Sequence, residues 1–425
     1  AAEFLRRKKY TVEDAVYTMP SPSHADNILR MLGLENAKSS PVPGRKLDLK
    51  TPGNTDELDE EKTSIYGSCV GCGIYLAQDR RDIMYAVKEL ARHLKQPRVC
   101  DWINLKILGR YLKGTKGMAQ VTRVEPGLTW GTPLPIDVYC DSDWAGCEQT
   151  RKSTTGEVCV VAGTVVDTSS LTQPGNPATS SAEAETRGIT KAAQSALYLQ
   201  HLCREDFGLE TEIPRVWTDS SAARQAARRM GSGKMRHIEV CHLYIQELVK
   251  TRQVLLGKVD GKENPSNVLT KHLPSGNEIQ KSLSGLGLVD TESTYLNAVL
   301  NGANHSVLTS KHDTVSRVHD QPATRQCSWK PRHAMKTTAA QMVMLLSLLQ
   351  PQTTQASDFV GRADSSMEYA SLVVKGSRAI TTTGNTVLGA SNEWMVKATL
   401  LVMAICTVLQ ISQALVFVIK MIYKG

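Results

Sequence analysis

The sequence has few aromatic residues, with 4 Phe in 425 residues and 5% aromatic side chains in all. Its hydrophobic cores must therefore be built mainly from Leu, Val, Ile, Ala and Met. A hydrophobic content of 41% and a charged content of 22% are globular values, which excludes a chain that is disordered throughout. The length is sufficient for two or three domains, each with a core of its own.

A cysteine pattern for disulfides or zinc is also missing. The 10 cysteines are scattered, and Cys69 and Cys72 form a C-x-x-C without a second pair of ligands nearby, so we expect no zinc site. The basic residues at positions 6–9 precede any apolar run, so we expect no signal peptide and an intracellular, reducing compartment. The chain opens in AAEFLRRKKY without Met, and we expect it to continue upstream.

The charge balance is basic, with 50 Lys and Arg against 42 Asp and Glu and a net charge of +8. Such a balance favours a polyanionic partner such as nucleic acid, although an ordinary basic surface gives the same count. Charge alone leaves both interpretations open.

The hydrophobic spacing changes near residue 135. Residues 1–130 are predicted to be mainly helical, with apolar residues at helical spacing over 64–76, 82–94 and 102–112. From Ile136 onward the period is two, which predicts a strand that stops at Asp141 and Asp143. The next predicted elements are strands over 156–162 and 164–171, a helix over 180–203 and a strand over 215–218. They are followed by a helix that begins at Ser220 or Ser221, a helix over 237–249, a strand over 254–259 and a short helix over 265–271.

Three acidic residues stand at the ends of these elements: Asp141, Glu185 and Asp219. Any one of them alone could equally cap a helix or solvate a turn. Gathered at one sheet edge, they would repel each other unless a divalent cation neutralised them, and oxygen ligands suit Mg²⁺ or Mn²⁺. Two such ions about 4 Å apart can activate a water for phosphoryl displacement, which is the chemistry of a nuclease.

Four strings identify a family. In this order, YCDSDWAGCEQTRKSTTG, SSAEAET, WTDSSAA and RHIEVCH resemble the ribonuclease H domain of copia-type retrotransposon Pol polyproteins. The resemblance implies an α/β, ribonuclease H-like fold over residues 131–275, with a mixed five-stranded sheet and flanking helices. It implies catalytic, metal-binding roles for Asp141, Glu185 and Asp219, with Asp143 and Glu183 as near alternatives.

The fourth acid of the family is replaced in this sequence. Relatives commonly carry Asp ahead of a Thr-Lys pair, and the segment NPSNVLTK places Asn267 at that position. The resemblance thus implies Asn267 as a fourth ligand whose amide brings no charge, so that one ion is held less tightly. Ser220 and the residues 168–170 also depart from the family pattern. His237 is expected either near the site or as a structural residue at a helix start.

A second resemblance lies upstream. The strings LGLENAK, RDIMYAV and RYLKGT look like the C-terminal part of copia reverse transcriptase, which we therefore expect over residues 1–130. The polymerase Asp-Asp motif lies earlier in that family and is absent from this chain. The missing polymerase part is accordingly an expected partner.

The resemblance implies cleavage of the RNA strand of an RNA–DNA hybrid with Mg²⁺ or Mn²⁺ as cofactor. Recognition would use backbone phosphates and the 2′-OH rather than bases. The expected phosphate contacts, each of which could also be a solvated surface charge, are Arg151, Lys152, Lys234 and Arg236. A rival hypothesis, prompted by Asn267, is a catalytically decayed domain that binds hybrid without cutting it.

The remainder of the chain matches no family that we identify. Residues 276–397 are rich in polar residues and are expected to be a partly disordered linker. Residues 398–419 carry no charge and are long enough to cross ~30 Å of hydrocarbon, which predicts a transmembrane helix. A buried or interfacial helix is the alternative, because Gln410, Ser412 and Gln413 interrupt the apolar run. A membrane-tethered fusion protein is therefore a second rival hypothesis.

Overall fold

In the computed structural model, the described residues are 2–4, 6–12, 15–123, 128, 131–233, 238 and 240–291, and all of them belong to one unit. The transmembrane helix predicted over 398–419 lies outside these residues, as does most of the predicted linker. Among the helices that the structure describes, none combines the length and the apolar character needed to span a membrane.

The first of two sheets is antiparallel and is built mostly from the N-terminal part of the chain. In spatial order its strands are β1 (Ala2–Phe4), β2 (Arg7–Val12), β3 (Ala15–Met19), β4 (Met118–Arg123) and β10 (Leu288–Asp290). Strand β10 joins the edge of this sheet by pairing with β4, with Val289 opposite Ala119. The end of the described chain therefore returns to its beginning.

Four helices lie between β3 and β4 in the sequence: α1 (Pro22–Met31), α2 (Glu60–Ala77), α3 (Met84–Ala91) and α4 (Val99–Gly114). Their starts follow local capping rules. Helix α2 begins after Asp59, whose carboxylate accepts a hydrogen bond from the Lys62 amide. Helix α4 has Asp101 in its first turn, where the carboxylate accepts a hydrogen bond from the Arg98 amide.

The second sheet is mixed and has the strand order β7-β6-β5-β8-β9. Its strands are β5 (Ile136–Asp143), β6 (Thr154–Val161), β7 (Thr164–Thr172), β8 (Arg215–Thr218) and β9 (Leu255–Lys258). Strands β5, β6 and β7 form an antiparallel meander, whereas β5, β8 and β9 run parallel. Parallel neighbours need crossover connections, which here are helical.

One face of the second sheet is covered by α5 (Ser181–His201), α6 (Ser221–Arg228) and α7 (Tyr244–Lys250). Alternate residues of β5, including Val138 and Cys140, pack there against α5 residues such as Ile189 and Ala193. Helix α5 starts at the Ser180 cap, whose hydroxyl accepts a hydrogen bond from the Glu183 amide.

The opposite face of the second sheet packs against the N-terminal helices. Val158 and Val165 of the meander lie in the same buried cluster as Tyr66 of α2 and Leu108 of α4. The buried Arg81 guanidinium, just before α3, joins the two parts by donating to the Val165 carbonyl at 3.1 Å. Residues on both sides of the predicted boundary near 130 therefore share one core, and the boundary itself stays a prediction.

The structure differs from the sequence prediction in two segments. Residues 1–130 are predicted to be mainly helical, but they also contain β1 to β4, which are strands of three to six residues. Residues 276–291 were assigned to a partly disordered linker, but they form α8 (Gly276–Leu283), a 3-10 turn and β10. Ile279 and Leu286 are buried in the shared core, and this tertiary contact stabilises a segment whose own sequence is polar.

Candidate active site

Three carboxylates meet at one edge of the second sheet. Asp141 lies near the end of β5, Asp219 directly follows β8, and Glu185 lies in the second turn of α5. One carboxylate oxygen from each lies within 4.8 Å of the other two. Asp141 is buried, and the other two residues are partly exposed. The three acids that the sequence analysis singled out are thus brought together.

The fold accounts for this convergence. Strands β5 and β8 are parallel neighbours, so their carboxyl ends, and with them Asp141 and Asp219, lie at the same edge. Helix α5 approaches β5 closely at Gly188, where a Cβ atom would lie 2.5 Å from the Ser142 hydroxyl. This close approach places Glu185, one turn earlier in the helix, beside Asp141.

The surroundings of the Glu185 carboxylate disfavour its negative charge. Its Oε2 atom is shielded from solvent and accepts no hydrogen bond from the residues that the structure describes. Burial, followed by the negative charges of Asp141 and Asp219, raises the pKa of Glu185 to about 9. Burial and the Asp141 charge also raise the pKa of Asp219. A buried carboxylate oxygen without a donor normally requires a positive partner.

A divalent cation fits this set of groups. Asp141, Glu185 and Asp219 offer only oxygen ligands, which Mg²⁺ and Mn²⁺ prefer, and Glu185 has an oxygen that no group in the described part of the chain satisfies. A cation held by the three side chains would remove the repulsion that raises the pKa of Glu185. These residues are therefore the ones that could hold the metal.

The turn after β9 also contacts the site, through Asp141 and the end of β5. Within the 3-10 turn Pro265–Leu269 and its flanks, Asn264 donates to the Cys140 carbonyl at 2.9 Å, and Thr270 donates to Asp141 Oδ2 at 2.6 Å. Gly156 stands opposite Asp141 on β6 and makes room for the turn, because a Cβ there would lie 2.8 Å from the Ser266 carbonyl oxygen. Lys271 then extends its ammonium to 3.7 Å from Asp141 Oδ2.

Asn267 lies in the same turn, one helical turn before Thr270. Its side-chain nitrogen donates to the Gly261 carbonyl, and its own carbonyl accepts from the Thr270 amide at 3.2 Å. Gly261 in turn packs closely against Asp219, since a Cβ there would lie 2.9 Å from Asp219 Oδ2. Asn267 is therefore connected to Asp219 through Gly261 and contributes no charge.

The two alternative acids have different surroundings. Glu183 is buried and forms an ion pair of 2.6 Å with Arg187, while its Oε2 accepts a hydrogen bond from the Thr179 amide at 2.9 Å. It thus completes the start of α5. Asp143 is outside the group of three, and its carboxylate packs against Gly146. Burial raises the pKa of Asp143, while Lys271 lowers it.

The predicted phosphate contacts are placed only in part. Arg151 and Lys152 lie in the turn between β5 and β6, with Arg151 exposed in a left-handed conformation at φ 56°. Lys234, Arg236 and His237 lie outside the described residues. The same turn begins with Trp144, whose side chain is 46% exposed and whose indole nitrogen donates to the Ala178 carbonyl at 2.8 Å.

Asn264, Thr270 and Lys271 contact the site although no sequence motif gave them a role. Thr270 and Lys271 both contact Asp141 from a position 129 or more residues away. The Thr-Lys pair was noted only as a landmark next to Asn267. Because this pair follows the expected fourth acid at a fixed spacing in the sequence, it could have indicated that both residues lie near the site.

Strand order and site together define the class of protein. A five-stranded sheet with an antiparallel meander, two parallel strands added at its first strand and acids at the shared edge is a ribonuclease H-like domain. Homologues of the chain are copia-type retrotransposon Pol polyproteins.

Two Pol polyproteins show the extent of this similarity in sequence identity and in the share of each chain covered. The chain is 31% identical over 271 residues to the retrovirus-related Pol polyprotein from transposon TNT 1-94 of Nicotiana tabacum, an alignment that covers 62% of the chain and 20% of that polyprotein. It is 29% identical over 210 residues to the Pol polyprotein from transposon RE2 of Arabidopsis thaliana, with 49% and 14% covered. The chain thus spans a fifth or less of these relatives.

Among solved structures, the RNase H1 of the halophilic archaeon Halobacterium salinarum NRC-1 is 17% identical, with 31% of this chain and 90% of that chain covered and a TM-score of 0.23. The fold assignment rests on the strand order and not on this superposition. No protein-family model matches the chain.

Proposed function

We propose that this chain is a ribonuclease H that cleaves the RNA strand of an RNA–DNA hybrid in a reaction that depends on Mg²⁺ or Mn²⁺. The observation that carries the proposal is the convergence of Asp141, Glu185 and Asp219, with a Glu185 oxygen that no donor among the described residues satisfies. Similarity to Pol polyproteins supports it, because a ribonuclease H fold in a Pol polyprotein has such a hybrid as its expected substrate.

The residues of the site have different proposed roles. Asp141, Glu185 and Asp219 would hold the cation, and Thr270 keeps Asp141 oriented through its hydroxyl. When bound, divalent cations neutralise charge on the scissile phosphate and activate the attacking water. Because Glu185 is protonated at neutral pH before a cation arrives, it must release that proton for the site to be loaded.

Hybrid recognition is proposed to use the turn between β5 and β6. Trp144 presents an exposed ring beside Asp143 and is held by its hydrogen bond to Ala178, so it can contact a ribose or base edge without further ordering. Arg151 and Lys152 on the same turn are proposed phosphate contacts. Lys234 and Arg236 remain proposed contacts from the sequence alone.

The test uses the full chain, because residues before 124 complete the core of the second sheet. The purified chain is incubated with a labelled RNA–DNA hybrid and with a DNA duplex of the same sequence, in Mg²⁺, in Mn²⁺ and in EDTA. We expect cleavage of the RNA strand alone, only with a divalent cation. The variant Asp141→Asn should lose it, whereas Asp26→Asn, which removes an exposed acid paired with Lys116, should keep it.

Cleavage that survives in Asp141→Asn would mean that another site or a contaminating nuclease is responsible. Absence of cleavage by the unmodified chain, with hybrid binding retained, would favour a second candidate function, that of a hybrid-binding domain that has lost catalysis. The observation that favours this second candidate is Asn267, which has an amide where relatives carry an acid. In that case Asn267→Asp should create cleavage, because it restores a charged ligand.

A further inference from the structure

The chain after α1 folds back onto α4. Helix α1 ends in a Schellman motif, in which the Leu34 amide donates to the Leu29 carbonyl at 2.8 Å and the Gly33 amide donates to the Arg30 carbonyl at 3.1 Å. Gly33 adopts the left-handed conformation that this motif requires, at φ 62°. Leu34 then packs on α4 at Gly109, where a Cβ atom would lie 2.9 Å from Leu34 Cδ1.

The same segment is attached to α4 further along the chain. The Ser40 amide donates to the Arg110 carbonyl at 3.2 Å, and the Lys113 ammonium donates to the Ala37 carbonyl at 2.7 Å. The segment thus forms a fixed wall beside the helix. Between wall and helix lies an open cavity of about 270 Å³, which is lined by Leu34, Ala37, Lys38, Ile103, Lys106 and Arg110.

The lining of this cavity is half apolar and half cationic. Its three cations are Lys38, Lys106 and Arg110. Lys106 and Arg110 share one face of α4, because they are four residues apart in a helix. Within the part of the chain that the structure describes, none of the three forms an ion pair with a carboxylate. Glu35 belongs to the wall but does not line the cavity.

The surroundings of these cations leave their charge unneutralised. The Arg110 Nε atom is shielded from solvent and donates to no acceptor among the described residues, which is costly for a guanidinium nitrogen. The Lys106 ammonium lies 5.5 Å from the centroid of the Trp102 ring, a contact that stabilises a cation without cancelling its charge. Lys38 is exposed. Three positive charges and an unused donor are the features of an anion-binding site.

We propose that this cavity binds a small organic phosphate monoester, with its phosphate on the three cations and its organic group on the apolar lining. A monoester carries a charge of about −1.5 to −2 at neutral pH, whereas each phosphodiester of a nucleic-acid backbone carries one negative charge. Three cations in one cavity therefore favour the monoester, and the guanidinium fork of Arg110 matches its oxygens.

The size of the cavity limits the organic group. A volume of about 270 Å³ is just below that of pockets for drug-sized ligands, so a phosphate with one ring attached fills it. None of the lining residues belongs to the group Asp141, Glu185 and Asp219. The inference is thus independent of the proposed function.

The experiment measures binding of phenyl phosphate to the full chain by calorimetry, at about pH 8, where the ester is dianionic, and at low ionic strength without divalent cations. Phenyl sulfate is the matched probe, because it has the same ring and one negative charge less. We expect phenyl phosphate to bind about tenfold more tightly than phenyl sulfate, owing to its charge. It should also bind more tightly than inorganic phosphate, which has no apolar group.

Variants test the assignment of the cations. Arg110→Gln and Lys38→Gln should each weaken phenyl phosphate binding about tenfold. Arg110→Lys keeps the charge but not the fork, and should bind more tightly than Arg110→Gln. Lys95→Gln removes an exposed lysine that does not line the cavity, and should bind as the unmodified chain does. Melting curves establish that the variants are folded, and Lys38→Gln keeps the test decisive if Arg110→Gln is not.

Two dinucleotides identify the source of the monoester. Binding of a 5′-phosphorylated dinucleotide, but not of its 5′-hydroxyl form, would support the proposal with a strand end as ligand. Failure of both, while phenyl phosphate binds, would support it with a free small ester as ligand. Equal binding of both dinucleotides, equal binding of phenyl sulfate and phenyl phosphate, or unchanged binding in Lys38→Gln and Arg110→Gln would overturn it. Absence of phenyl phosphate binding would overturn it as well, whether or not the chain cuts hybrid.

Discussion

The Thr270 hydroxyl donates a hydrogen bond of 2.6 Å to Asp141 Oδ2, across 129 positions of the sequence. Both residues are buried, so the contact is protected from water. A hydrogen bond to a buried carboxylate fixes which oxygen is free to bind a cation. The C-terminal turn of the second sheet thus controls the orientation of an acid on its first strand.

Removing this hydroxyl should weaken metal binding. We expect Thr270→Val to bind Mn²⁺ about 10 to 100 times more weakly, which is the usual effect of losing a group that orients a metal ligand. Thr270→Ser keeps the hydroxyl and should restore most of the affinity. Calorimetric titration of the two variants measures the difference, and equal affinities would show that the hydrogen bond does not orient Asp141.

Two glutamates two residues apart should respond to mutation in opposite ways. Glu185→Gln removes a carboxylate that burial and two neighbouring acids disfavour, so in EDTA at neutral pH it should stabilise the chain by about 1 to 3 kcal/mol. Glu183→Gln leaves the buried Arg187 without its carboxylate partner and should destabilise the chain by about 3 kcal/mol. Denaturant unfolding measures both changes.

The matched pair also separates function from structure. Glu185→Gln should abolish Mn²⁺ binding while the protein becomes more stable, whereas Glu183→Gln should keep the site in the molecules that remain folded. If Glu185→Gln destabilised the chain as much as Glu183→Gln, Glu185 would be a structural residue and the assignment of the two acids would be reversed.

These contrasts show how far the sequence could predict the site. Asp141 and Asp219 were predictable because each lies near the carboxyl end of a strand, and parallel strands bring these ends to one edge. The choice of Glu185 over Glu183 came from family resemblance. Its physical basis, the close approach of Gly188 to Ser142, is a tertiary contact that no local spacing reveals.

The fold was predictable to a similar extent. The strand Arg215–Thr218 was predicted at its observed bounds, because apolar residues and a following Asp mark it locally. Strands β2 and β10 were missed for two physical reasons. Strand β2 carries Lys8 and Lys9 and has no period of two, and β10 has three residues that pair with β4, far away in the sequence.

The pH dependence of stability should depend on Glu185. Its pKa is about 9 in the folded chain, above its ordinary value of 4.5, so the folded state binds the proton more tightly than the unfolded state. Stability in EDTA should therefore fall as the pH rises from about 4.5 to about 9. Melting temperatures across this window should show that Glu185→Gln has a flatter profile than the unmodified chain.

Metal affinity should change in the opposite direction over the same window. A cation must displace the Glu185 proton, so Mg²⁺ should bind more tightly as the pH approaches 9. Calorimetry in buffers of different ionisation enthalpy would count the protons released, and we expect about one at neutral pH. Release of no proton would mean that Glu185 is already ionised or does not bind the ion.

The shared core leads to a last prediction, which concerns residues 1–123. Val158 and Val165 on one face of the second sheet are covered by the helices of this segment, and the Arg81 side chain donates to the Val165 carbonyl. A fragment of residues 131–291 would expose that apolar face and lose the partner strand of β10. We expect the fragment to bind a hydrophobic dye and to melt well below the full chain.

The matched full-chain variant Arg81→Leu, which removes only the polar connection, should lose less stability than the fragment. A fragment that melts at the same temperature as the full chain and binds no dye would show that residues 131–291 form an independent domain.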